Sequence, residues 1–199
     1  GLGLLEVPGF EGEIAPGERR ARLRAHPEAS LGDIAYFLRT AFALLAFEAG
    51  AVLFHAAGLI HRGEAFAFFG PSGSGKTTLA RLSVGKEVLS DDLLLLRPLP
   101  GGSWEAWATP FSLCRGERLS APLRALMRLV KAGEDRLMPL PGGVALGEVV
   151  ASSPVVNADP WRLSGLFARW EEILRAVPAF ALHFRKSDAF WEVIDAELG

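Results

Sequence analysis

The chain has 199 residues, half of them hydrophobic and 22% charged, with a formal net charge of −2. This composition excludes a disordered chain, the charge gives no broad basic face for nucleic acid, and the length suits one domain with a substantial core. The single cysteine, Cys114, cannot close an internal disulfide and reads as a small packed residue, so a reducing cytoplasm is the simplest compartment.

No signal peptide or membrane span is visible. The longest apolar stretch, Ala41 to Ile60, is broken by Glu48, Gly50, His55 and Gly58 and reads as a helix, a turn and a strand. Residues 1–30 read as a peripheral N-terminal segment. In it Leu2 to Val7 suggests a strand, and Arg19, Arg20, Arg22 and Arg24 a polar loop or edge strand. Those arginines are a solvated face or, alternatively, a grip on a substrate or partner. Asp33 is the expected N-cap of a helix whose apolar positions Ile34, Phe37, Leu38, Ala41, Leu44 and Leu45 recur at helical spacing up to Gly50. Ala51 to Ile60 reads as a strand, His61 to Glu64 as a turn, and Ala65 to Phe69 as a second strand.

Directly after that strand stands Gly70-Pro-Ser-Gly-Ser-Gly-Lys76-Thr77, which fits the phosphate-binding (Walker A) pattern G-x-x-x-x-G-K-[ST] at every fixed position. Glycines there let backbone N–H groups turn inward around an anion, and the following helix aims its positive end at the same place. Lys76 is spaced to reach the β- and γ-phosphates, and Thr77 to place a hydroxyl on Mg²⁺. Gly70, Ser72, Gly73, Ser74, Gly75, Lys76, Thr77 and Thr78 are therefore the candidate nucleotide-binding residues. An apolar run before the loop and a helical Thr78-Leu-Ala-Arg-Leu82 after it give the strand–loop–helix context that the motif requires.

The helix after the loop is expected to end near Gly85. Val88-Leu89 and Leu93 to Leu96 read as strands flanking Ser90-Asp91-Asp92, and Trp104 to Ala108 as another strand, closing at Thr109-Pro-Phe111. Leu119 to Val130 carries a helical stripe through Leu123, Leu126, Met127 and Val130. Leu137 to Leu140 and Val144 to Val150 give no clear pattern. Pro160 to Ala176 reads as a helix, Ala179 to Phe184 as a strand, and Ser187 to Leu198 as a final helix capped by Ser187 or Asp188. Strands separated by turns as well as by helices favour a single α/β domain with a mixed sheet over a purely parallel one.

Asp91 and Asp92 follow Lys76 by only 15 and 16 residues, enough for one short helix and a return to the sheet. Two carboxylates beside a triphosphate site have two uses: one holds Mg²⁺, the other accepts a proton from an attacking hydroxyl. The alternative is a polar turn or a helix cap. Neighbouring residues on a strand face opposite ways, so only a turn or bulge would bring both acids into one site. The residues leave His55 open between a core histidine and a proton relay near a terminal phosphate.

At these positions the chain resembles the HPr kinase/phosphorylase superfamily, whose fold is shared with ATP-dependent phosphoenolpyruvate carboxykinases. His55 stands 15 residues before Gly70, as the family's active-site histidine does. The loop matches the family's phosphate loop, and Asp91-Asp92 resembles its paired aspartates. Phe54-His-Ala-Ala-Gly58, Leu89-Ser-Asp-Asp92 and Thr109-Pro-Phe111 look most like the compact HPr-kinase-like proteins of peptide-maturation clusters, including those of lasso peptides. The resemblance is good from about Ala51 to Val130 and thin elsewhere. It implies ATP and Mg²⁺ as cofactors and a serine or other hydroxyl on a peptide or protein as acceptor. It further implies His55 as a catalytic group, Asp91 as general base and Asp92, with Thr77, on the metal. HPr kinases assemble into rings, so a homo-oligomer is a further expectation. No counterpart of that enzyme's extra N-terminal domain or phosphorolysis motif is seen, so the resemblance does not point to HPr itself or to the reverse reaction. Arg115 is the first candidate for stabilising the transition state and Arg185 the second, each with a plain surface role as the alternative.

The expectation is thus a cytoplasmic ATP-dependent peptide or protein kinase without nucleic-acid or membrane partners. A small-molecule kinase and a nucleotide-switched binding protein without chemistry are the competing readings.

Overall fold

The computed structural model describes residues 3–7, 9–112 and 117–199. The chain groups into two compact units, residues 1–52 and 53–199. The first holds an antiparallel sheet of β1 (Gly3–Val7), β2 (Phe10–Ala15) and β3 (Arg20–Ala25), followed by helix α1 (Leu31–Glu48). Along β2, Phe10, Gly12 and Ile14 are buried while Glu11 and Glu13 face outward, the alternation of a sheet covered on one face. Phe10 and Phe37 of α1 meet edge to face at 5.6 Å. The arginine-rich segment is an edge strand: Arg20, Arg22 and Arg24 are exposed, and Arg20 reaches Glu13 at 3.3 Å and Glu18 at 2.8 Å.

The expected cap of α1 needs correction. The N-cap is Ser30, whose Oγ accepts from the Asp33 backbone N–H at 3.1 Å, while the Asp33 carboxylate accepts from the Ser30 N–H at 2.9 Å. Asp33 is the third helical residue of a capping box and reaches back to the cap. The Ser30 hydroxyl, donating to Asp33 Oδ2 at 2.7 Å, and the Ser30 backbone N–H together hold the Asp33 carboxyl below its usual range.

The second unit is built on an eight-stranded mixed sheet. Its strands are β4 (Val52–His61), β5 (Glu64–Phe69), β6 (Glu87–Ser90), β7 (Leu93–Pro98), β8 (Trp104–Ala108), β9 (Ser120–Lys131), β10 (Arg136–Pro139) and β11 (Ala179–Phe184). They run in the order β10-β11-β9-β5-β4-β7-β8, with β6 also on β4 and β8 returning to the first residues of β9. Arg62 and Gly63 join β4 to β5 with φ of 52° and 85°, the paired positive values of a tight hairpin turn.

Leu119 to Val130, expected to be helical, is instead strand β9. It lies between β5 and β11 and runs parallel to both. Ala125, Leu126, Met127 and Leu129 are all buried, because a strand covered on both faces reads as a nearly continuous apolar run. Pro122, where β9 pairs with Glu105 of β8, also disfavours the helix. The two unclear segments become β10 and helix α3 (Gly142–Ala151). Two helix ends also differ from expectation. Helix α2 (Lys76–Leu82) stops before Gly85, and α5 (Phe190–Leu198) has Ala189 as its N-cap, without a side-chain cap bond; the Trp191 N–H bonds to the Asp188 carbonyl at 3.0 Å.

Helices cover both faces of this sheet. On one, Phe68, Phe66, Leu79 and Met127 form a core with Phe190 and Trp191 of α5. On the other, Trp170 of α4 (Leu163–Ala176) meets Phe54 at 4.8 Å. Both indoles are satisfied: Trp170 donates to Ser153 Oγ at 2.7 Å and Trp191 to Ser83 Oγ at 3.0 Å. Along β4, Ala57 and Leu59 belong to the α5-side core, which puts His55 on the face that carries α2. Among the described residues, no helix is long and apolar enough to cross a membrane.

Candidate functional site

Strand β5 ends at Phe69 and the chain turns at once into the glycine loop. Gly70, Gly73 and Gly75 have φ of 149°, 77° and 110°, values that L side chains rarely adopt. Gly75 is also sterically fixed: a Cβ there would lie 2.9 Å from Cζ of Phe184. Lys76 opens α2 and is buried, and its Nζ donates to the Gly70 carbonyl at 2.9 Å, closing the loop on itself. Burial pulls the Lys76 pKa below the usual lysine value, and the Asp92 carboxylate opposes that shift. The Ser74 hydroxyl is buried and has no hydrogen-bond partner among the described residues.

The two aspartates occupy the bend between β6 and β7. Strand alternation does not apply in a bend, and both acids line the same cavity as the loop. The bend is held from below: Ser90 Oγ and Thr109 Oγ1, both buried, donate to the Leu93 carbonyl at 2.8 and 3.0 Å. Asp91 is fixed by Ser112, whose hydroxyl donates to Oδ1 at 2.7 Å and accepts from the Asp91 N–H at 3.3 Å. Asp92 Oδ1 lies 3.1 Å from Nε2 of His55. His55 reaches this point because β4 and β5 are antiparallel, with Ala56 opposite Phe69. The residue before Ala56 thus sits level with the residue after Phe69, where the loop begins.

A cavity of about 540 Å³ joins these parts. His55, Ser72, Gly73, Ser74, Gly75, Lys76, Thr77, Thr78, Asp91 and Asp92 all line it. Gly70 does not, but its carbonyl holds Lys76. Arg115 lies outside the described residues. Arg185 points elsewhere: its backbone and guanidinium both bond Asp135, at 2.7 and 2.8 Å, in an ion pair that ties the end of β11 to the turn before β10.

Five residues at or beside the cavity escaped the sequence reading. Lys131, Ala132, Phe184 and Lys186 line its far side, and Ser112 orients Asp91. The only available signals were weak: lysines just past two apolar strands, and a serine next to Thr109-Pro-Phe111.

The donor set fits a polyphosphate. An orphaned buried hydroxyl, glycine N–H groups in left-handed turns and a desolvated ammonium all call for an anion. The described residues contain no group of three or more His, Cys, Asp or Glu able to hold a metal. Thr77, Asp91 and Asp92 line the same cavity, oxygen donors of the kind that suit Mg²⁺, which takes one or two protein ligands and completes its shell with phosphate oxygens and water.

The family model described as SynChlorMet cassette protein ScmC matches residues 34–198. Among solved structures, the Hpr(Ser) kinase/phosphatase from Coxiella burnetii is similar at 14% identity with a TM-score of 0.40, over 73% of this chain and 95% of that one. No curated protein matches the chain.

Proposed function

The chain belongs to the SynChlorMet cassette protein ScmC family, and from that premise and the site we propose that it is a cytoplasmic ATP-dependent kinase acting on a hydroxyl of a peptide or protein. The observation that carries this reading is the meeting of phosphate loop, buried lysine, acid pair and histidine in one cavity. A bare nucleotide switch has no need of a histidine–aspartate contact beside the loop. A cassette protein also fits an acceptor supplied by the same cassette, such as a ribosomally made precursor peptide.

ATP supplies the phosphoryl group when bound, and Mg²⁺ neutralises charge on its phosphates. The chain's own residues do the rest by positioning and electrostatics. The loop N–H groups and Ser74 Oγ take phosphate oxygens. Lys76 brings an ammonium whose poor solvation leaves it ready to exchange the Gly70 carbonyl for an anion. Thr77 and Asp92 would hold the metal. Asp91, steadied by Ser112, takes the proton of the acceptor hydroxyl as its oxygen bonds to the γ-phosphorus and the bond to the bridging oxygen breaks, releasing ADP. His55 fixes Asp92 and lends positive charge when protonated.

Incubation with γ-labelled ATP and a precursor peptide from the same cassette tests this. Label on the peptide supports the proposal. Label only on a small metabolite, or tight ATP binding without any transfer, replaces it with one of the two competing readings.

A further inference from the structure

The cavity has a second flank that the chemistry above does not use. In the sheet order β11-β9-β5-β4, the loop leaves β5, His55 lies on the β4 side, and β9 and β11 end on the other side. Lys131 is the last residue of β9 and is paired in register with Phe184, the last of β11. The Ala132 N–H bonds the Phe184 carbonyl at 3.1 Å, which fixes these strand ends together. Lys186 follows two residues later, and both lysines are exposed at the rim.

Resting on the nucleotide reading above, we infer that Lys131 and Lys186 hold the nucleotide by its α-phosphate and ribose end, with Phe184 and Ala132 as the apolar wall between them. A triphosphate seated on the loop has two ends. The reacting end belongs at Asp91 and Asp92, where the proton acceptor stands, so the other end falls on the lysine flank.

Local charge supports the assignment. The neighbouring cations are neutralised: Arg136 by Glu134 at 3.6 Å and Arg185 by Asp135 at 2.8 Å. Lys131 and Lys186 form no ion pair among the described residues. Two uncompensated ammonium groups beside a loop that already holds Lys76 raise the positive potential of this flank, which an anionic ligand relieves. Lysine also suits the role, because a compact charge on a flexible stem can follow a phosphate that no rigid fork has to read.

The test is the paired substitution Lys131→Gln and Lys186→Gln, read by titration with ATP and Mg²⁺ and by label transfer to the peptide. The Kd for ATP is expected to rise about tenfold or more. At saturating ATP, kcat and the KM for the acceptor should stay within about twofold, because the substituted groups sit away from the transferred phosphoryl. The arginine pair, Lys131→Arg with Lys186→Arg, should recover most of the affinity. Unchanged ATP affinity in the glutamine pair overturns the inference. So does a fall in kcat alone, which would put the lysines on the transferred group, or a rise in the acceptor KM alone, which would make them a grip for the peptide. If the unsubstituted protein does not bind ATP, the nucleotide reading fails as well, and that result needs no variant.

Discussion

The flank of the cavity built from β4 and the β6–β7 bend carries two carboxylates and an imidazole, whereas the flank built from β9 and β11 carries two lysines on an apolar wall. The first is braced by short hydrogen bonds from Ser112, Ser90 and Thr109. On the second, the strand ends are braced and the charged side chains are left at the rim. Under the function proposed above, the two flanks have different demands. Proton transfer demands atoms placed to a fraction of an ångström, while an electrostatic grip works through flexible stems over a range of distances.

The sharpest way to break this contrast is on the braced flank. Asp91→Asn should lower the rate of label transfer by about 10²–10⁴-fold while leaving the Kd for ATP within a few-fold. Transfer at the normal rate would remove Asp91 as the base. Removing only its brace should do less: Ser112→Ala should slow transfer by about tenfold, the equivalent of one hydrogen bond, again with ATP affinity preserved. A Ser112→Ala variant that loses ATP binding instead would show that Ser112 supports the loop and not the acid.

The loop between the flanks gives smaller effects when stability is the readout. Gly75→Ala introduces a side chain at φ 110° and against the Phe184 ring, and should cost about 1–3 kcal/mol in chemical denaturation. Adding Phe184→Ala should not recover that loss, because it removes the clash and leaves the backbone strain while opening a cavity. The smallest change expected runs in the opposite direction. Lys76→Met should abolish ATP binding yet raise Tm by about 2 °C, since it deletes a poorly solvated charge. The sign follows from linkage. Folded Lys76 releases its proton at lower pH than in the unfolded chain, so it destabilises the fold at neutral pH, and that cost fades as pH rises through the folded value toward 10.5. The Tm difference between variant and parent should therefore narrow in alkaline buffer.

Much of the site was legible along the chain because its parts are local. The glycine loop, Lys76 and Thr77 depend on a few consecutive residues whose backbone freedom and spacing are written in the sequence, and the same holds for the β4–β5 hairpin, which sets His55 level with Gly70. What could not be read needed partners distant in sequence. Strand β9 looked helical because burial on both faces erases the alternation of a strand, and only its neighbours β5 and β11 impose that burial. Asp33 looked like a cap because the reciprocal bond from Ser30 is a property of the folded turn. Lys131, Phe184 and Lys186 carry no motif. They reach the loop because two parallel strands, separated in the chain by strand β10 and helices α3 and α4, end at the same edge of the sheet. Short-range stereochemistry thus fixed the glycine loop and its lysine, and the pairing of remote strands decided what surrounds them.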